Sequence, residues 1–180
     1  PIIKDKSSFL IGGRSTYSDW ILEQLDTESL KKSEASFYDV NAHISHKIND
    51  KNNLYLSAYM SKDRFKLNSD TLYRYSDRNI SLKWKHVVNN KLYGVFTGGY
   101  SHYGYSISSD INPAEAFNMK FSIQQTNAKV DFSYFPNQKH TINFGLGSIL
   151  YKLAPGNMQP EGPESLVAPN ELQDEQALET

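Results

Sequence analysis

The chain holds 180 residues, enough for one domain with a core of its own, and its 19 basic and 20 acidic side chains leave a formal net charge of -1. That balance offers no bulk field to gather nucleic acid or anionic lipid, and the absence of cysteine excludes a disulfide framework and a thiolate metal site. No apolar run approaches the roughly 20 residues of a membrane helix, but a mean hydropathy of -0.59 is compatible with membrane strands, of which one face alone is apolar.

Ser7 to Tyr17 reads as the first strand, with Phe9, Ile11, Gly13, Ser15 and Tyr17 on one face. Ser18 to Ala35 mixes charges with a helix-like spacing of Trp20, Leu22 and Leu25, which predicts a long loop holding a helical turn. Tyr38, Val40, Ala42 and Ile44 then alternate with polar residues. The turn Asn49-Asp50-Lys51-Asn52 leads to a second alternating set, Leu54, Leu56, Ala58 and Met60. A polar loop is expected from Lys66 to Arg78. Ile80, Leu82 and Trp84 set the next apolar face, Asn89-Asn90 closes a second hairpin, and a strand runs from Leu92 through Phe96 to Tyr100. A third loop is expected from Gly104 to Phe117.

The last hairpin sets Ala128, Val130, Phe132 and Tyr134 against Ile142, Phe144 and Leu146, across a turn at Pro136-Asn137-Gln138. Met119, Phe121 and Ile123 have the opposite parity, which places a bulge near Gln124 to Asn127. From Ala154 onward come four of the seven prolines, six acidic residues and no basic ones, the composition of a loop or tail. The expected organisation is therefore residues 1–153 as a sheet of about seven strands and 154–180 as an acidic, proline-rich loop. Turns of two to four residues alternate with loops of about 12 to 18, the asymmetry of outer-membrane barrels with short periplasmic turns and long extracellular loops. A soluble β-sandwich scatters its loop lengths more evenly.

Little in the pattern points to chemistry. His43 and His46 have opposite parity, His140 adjoins a turn, and neither His86 nor His102 has ligand spacing with a third partner. Asp39 and Asp131, with Arg14, Lys83, Lys85 and Lys129, fall on the polar face and read as a charge-laced lumen rather than an acid/base pair. Gly12-Gly13 and Gly98-Gly99 lack the strand-to-helix context of a phosphate loop and read as relief of crowding in the sheet. Tyr17, Tyr38, Trp84, Tyr100 and Tyr134 lie near the ends of apolar faces, where aromatic girdles form. No catalytic, cofactor or metal residue is assigned, and the substrate contacts are left open.

The segments Pro1 to Tyr17, Phe37-Tyr38-Asp39-Val40-Asn41-Ala42, Leu54 to Tyr59 with Asp63-Arg64-Phe65, Ser81 to His86, Tyr100-Ser101-His102-Tyr103 and His140 to Gly145 together resemble the barrel of Bacteroidetes-type TonB-dependent outer-membrane receptors. The opening is closer to receptors with a carboxypeptidase-regulatory-like N-terminal domain than to SusC-like glycan importers. The resemblance implies a piece of an antiparallel transmembrane barrel of about 22 strands, with Glu175 to Thr180 running into a further strand. It implies a non-enzymatic importer of a scarce nutrient in the bacterial outer membrane, without cofactor or nucleic acid. The implied partners are outer-membrane lipid, the rest of the barrel and its plug, a TonB-type energising protein and a surface lipoprotein. Two alternatives stand beside it. One is a small complete membrane barrel acting as anchor, adhesin or lipid-modifying enzyme, and the other is a soluble β-sandwich binding module.

Overall fold

The computed structural model describes residues 3–17, 24, 33–66 and 71–180. Seven long strands follow one another in chain order, each antiparallel to its neighbour: β1 (Ser7–Tyr17), β2 (Glu34–Asn49), β3 (Asn52–Lys66), β4 (Thr71–Asn89), β5 (Leu92–Ser109), β6 (Phe117–Asn137) and β7 (His140–Pro160). Two short strands, β8 (Asn170–Glu171) and β9 (Glu175–Glu179), lie against β7 and complete a nine-stranded sheet. The fold is all-β, as the period-two pattern predicts, and the sheet is open, with β1 at one edge.

One local device makes all three tight turns. The sequences are Asn49-Asp50-Lys51, Asn89-Asn90-Lys91 and Asn137-Gln138-Lys139, and in each the asparagine Oδ1 accepts the lysine N–H at 3.0, 2.9 and 3.0 Å. A short side chain that bonds the backbone two residues on supplies the turn by itself. The register slips just before each asparagine, between Lys47 and Asn49, Val87 and Asn89, and Tyr134 and Asn137. Those slips free N–H groups for the turn that precedes each in the chain. Val87 and Phe135 donate to the carbonyls of Lys51 and Lys91 at 2.7 and 2.8 Å, and Lys47 donates to that of Lys6 at 2.7 Å. Turn is thereby tied to turn along one end of the sheet.

The other end differs from the sequence expectation. Two of the expected loops are largely strand: β3 runs to Lys66, β4 starts at Thr71, and β5 runs to Ser109. Between β5 and β6 there remains only a short connection with a 3-10 turn at Pro113–Glu115, capped by Asn112, whose Oδ1 accepts from Ala114 N at 3.2 Å. The expected bulge at Gln124 to Asn127 is absent, because β6 pairs with β5 in unbroken register from Phe117 to Tyr134. The slip lies instead in β7, where Lys120 faces Asn157 but Ser122 faces Ala154. Pro155 explains the place, since proline cannot donate to a ladder and settles at bulges. Residues 154–160 thus continue β7, and Glu175–Glu179 pairs with Ile149–Leu153, where a loop was expected. The helix-like spacing of Trp20, Leu22 and Leu25 lies outside the described residues.

The sheet is a single layer. Among the described residues only Leu72 and Ala116 are buried apolar side chains, while Leu146, Ile11 and Leu10 are 72, 67 and 61% exposed. A sandwich would bury such residues between two facing sheets. The described residues form one sheet, so the β-sandwich alternative is corrected.

Candidate functional site

Residues directly opposed in antiparallel strands share a face, so the register sorts every strand residue onto one of two faces. The Leu56 face carries, in successive rows, Ile44–Leu56–Leu82–Gly98–Ala128 and Ala42–Ala58–Ile80–Tyr100–Thr126. Leu54–Trp84–Phe96–Val130–Leu146 lies nearer the turns. All twelve residues expected on one apolar face (Tyr38, Val40, Ala42, Leu54, Leu56, Ile80, Leu82, Trp84, Val130, Phe132, Ile142 and Phe144) do share it. The belt spans Leu92 to Tyr100 in β5 and Thr126 to Tyr134 in β6, about the 9–11 residues of a tilted membrane strand. It contains no charged side chain.

Aromatic residues mark its margins. Trp84, Phe96, Phe132 and Phe144 follow one another across β4 to β7 with ring centroids 4.9, 6.0 and 5.4 Å apart, the outer two pairs stacked and Phe96–Phe132 edge to face. Trp84 Nε1 donates to Asn52 Oδ1 at 3.0 Å, so the indole has an apolar body and a satisfied polar tip. Trp84 and Tyr134 stand toward the tight turns and Tyr100 at the far margin, while Tyr38 lies two rows farther on, opposite Lys62. Tyr17 ends β1.

The opposite, Ser57 face is polar beside the belt. Arg14 pairs with buried Asp39 and lies 5.7 Å over the Phe37 ring. Lys129 Nζ reaches Asp131 Oδ1 at 3.0 Å, and Lys85 Nζ sits 4.7 Å over Tyr93. Lys83, opposite Thr97, completes the six charged residues expected on this face. Gly12 and Gly99 belong to it too. A Cβ at either position would come within 3.1 or 3.0 Å of the Asn41 or Asn127 side chain, so these glycines make room for amides.

Farther from the turns the two faces exchange chemistry. The Ser57 face becomes aromatic: Tyr105 stacks on Tyr75 at 4.8 Å and on Phe121 at 5.5 Å, with Tyr73 at 6.5 Å. Met119 and Ile123 join this side, which explains the parity change that suggested a bulge. The Leu56 face becomes polar and cationic. A cleft of about 930 Å³ lies here, lined by Lys62, Arg64, Arg74, His102 and Lys120 and also by Asp63 and the aromatic residues Tyr75, Tyr105 and Phe121.

The histidines stay apart. His43 Nδ1 lies 2.9 Å from Ser57 Oγ on the polar face, whereas His46 Nδ1 lies 2.7 Å from Ser7 Oγ on the other. His86 Nδ1 lies 2.8 Å from Asn52 Oδ1, His102 lines the cleft and His140 opens β7. Among the described residues, no three histidine, aspartate or glutamate side chains converge as metal ligands would. Outside the belt, the exposed turn residue Asp50 receives Lys47 Nζ at 2.6 Å, and this hydrogen bond and charge hold its carboxyl below the usual aspartate range. Sequence reasoning missed the cleft. Its signal was the recurrence of lysine and arginine at even positions from Lys62 to Arg78, directly past the apolar ones.

No family model matches the chain, and no curated protein matches it. Among solved structures it is similar to the translocator domain of the autotransporter NalP from Neisseria meningitidis, with a TM-score of 0.50 and 16% identity over 96% of this chain and 57% of that one. The fold resembles an outer-membrane β-barrel. At this identity the likeness is one of fold alone, and the chain spans little more than half of that domain. The TonB-dependent receptor pattern read from the sequence has no counterpart in these comparisons.

Proposed function

We propose that the chain forms part of the wall of a bacterial outer-membrane β-barrel, with the Leu56 face in lipid and the Ser57 face lining a water-filled interior. The belt carries this reading. It is an unbroken, uncharged, aromatic-edged face with no covering layer, backed by a face of serines, asparagines and ion pairs. In water so large an apolar surface drives aggregation; in a bilayer it is solvated. The tight turns face the periplasm and the longer connections the cell exterior.

Within the barrel this wall anchors the protein and encloses a passage, and it is not an enzyme. The likeness in fold to a translocator domain favours the small-barrel reading, in which the wall serves as an anchor or adhesin. The second reading is an importer of scarce nutrients of the TonB-dependent kind, with a plug, a TonB-type energising protein and a surface lipoprotein as partners. One observation favours it: the outer edge of β1 and the His140–Ser148 edge of β7 have no strand beside them among the described residues. Unpaired backbone in hydrocarbon costs several kcal/mol per group, so further strands must close the wall.

The test is to wash membranes carrying the full gene product in alkaline carbonate, then extract them with detergent. Retention through the wash and heat-modifiable gel mobility are expected, and release into buffer would overturn the barrel reading. Ligand uptake that stops when the energising protein is deleted selects the importer. Surface display that persists without that protein selects the small barrel.

A further inference from the structure

On the reading that the Leu56 face meets lipid, we propose that this face carries, directly beyond its apolar belt, a site for the phosphate groups of membrane-lipid head groups. The belt ends at the row Ala58–Ile80–Tyr100–Thr126–Leu150. The next row, one residue pair farther from the turns, is Met60–Arg78–His102–Gln124–Lys152. Beyond it lies Lys62–Ser76–Gly104–Ser122–Ala154, and then Arg64–Arg74–Ser106–Lys120–Asn157. Four small residues, Ser76, Gly104, Ser122 and Ala154, thus form a trough one row wide between two rows bearing long cations. The small floor leaves the cleft of about 930 Å³, and Lys62, Arg64, Arg74 and Lys120 line it.

The charge is local and largely uncompensated. Lys62, Arg64 and Lys66 of β3, Arg74 and Arg78 of β4, Lys120 of β6 and Lys152 of β7 all share this face. In β1 to β7 the acid on this face is Glu34, 2.6 Å from Arg64. Asp63, at the alternate position of β3, also lines the cleft, and Glu171 of β8 stands at the rim opposite Asn157; the cations of the cleft and its flanking row still outnumber these acids. Lys62, Arg78, Lys120 and Lys152 form no ion pair with the described residues. Arg64 and Arg74 are directly opposed across β3 and β4, a like-charge pairing that destabilises a sheet unless an anion lies between. Arg74 Nη1 also donates to Ser108 Oγ of β5 at 3.0 Å, a neutral partner that leaves its charge uncompensated. A chain of net charge -1 does not concentrate cations here by composition.

Position selects the occupant. These side chains lie one to three rows beyond the apolar belt, on the face that continues it, which is where head groups of the outer leaflet sit. Guanidinium and ammonium groups flanking a trough bind phosphate by charge and by multiple hydrogen bonds. The hydroxyls of Ser76, Ser106 and Ser122 add neutral contacts of the kind a sugar-phosphate head group takes up.

The test uses the full gene product in phosphatidylcholine nanodiscs with and without diphosphorylated lipid A, read by native mass spectrometry after detergent release. The protein is expected to retain lipid A selectively. Joint replacement Lys62→Gln, Arg78→Gln, Lys120→Gln and Lys152→Gln is expected to lower retention about tenfold or more, since each cation near an anionic lipid surface adds to binding. Replacing the three lysines by arginine should preserve retention, and Lys83→Gln with Lys85→Gln on the polar face should not alter it. Heat-modifiable mobility reports separately on folding, so a folded protein with equal retention in all variants overturns the lipid site and leaves the barrel standing. Failure of every variant and of the parent to enter nanodiscs overturns both. Competition by inorganic phosphate without lipid retention would make the cleft a soluble-anion site and overturn the lipid assignment.

Discussion

The two halves of the same strands obey the same alternation and answer to different solvents. Near the tight turns, Leu56, Leu82 and Val130 point one way while Ser57, Lys83 and Lys129 point the other. Beyond Met60 and Tyr100 the ladder continues in register, yet Arg74, Ser76 and Lys120 now occupy the formerly apolar face, and Tyr75, Tyr105 and Phe121 the formerly polar one. From β3 to β6 the backbone does not register the change, whereas β7 carries its bulge there, at Ala154 to Asn157. A strand's period tells that two faces exist, and the environment of each face is a separate property that varies along its length.

Charge placement separates the two halves most strongly. Arginine at Leu56 or Phe132, in mid-belt, is expected to destabilise by about 2–4 kcal/mol in a folding titration from lipid vesicles, and glutamate at Ser76 or Ser122, among the cations, by close to none. Equal costs in the two halves would mean that the halves share one solvent. The next effect sharpens the aromatic side. Tyr105 touches the rings of Tyr73, Tyr75 and Phe121, so Tyr105→Ala should cost roughly 1–3 kcal/mol from three lost ring pairs and their buried area, whereas Ser101→Ala on the same strand and face should be nearly silent.

A smaller effect belongs to the turn end. Asn137→Ala removes the acceptor of the Lys139 N–H and should cost about 1 kcal/mol, seen as faster amide exchange at Lys139 before any change in the distal half. The smallest is a titration. Lys47 holds the Asp50 carboxyl below its ordinary range, so the contact contributes at and above the ordinary aspartate range and is lost as pH falls through the lowered value. Asp50→Asn should abolish an acid-side change in the NMR signals of that turn and leave the melt at neutral pH unchanged.

Period two, tight turns and loop asymmetry are local properties, and the sequence by itself determined the seven long strands, the positions of the three polar turns and the twelve-residue apolar face. The Asn-X-Lys bond common to the three turns was not read from the sequence, although it spans only two residues and its residues stand at each expected turn. Tertiary structure decided the rest. Strand ends at Lys66, Ser109 and Pro160 escaped sequence reading because polarity exchanges faces there, and an exchanged alternation reads as loop. The bulge at Ala154 to Asn157 follows from pairing with β6, which no single strand specifies. The basic cleft joins Lys62, Arg74 and Lys120, residues far apart in the chain whose shared face is a consequence of register alone, and register is set by the whole ladder of cross-strand partners rather than by any one of them.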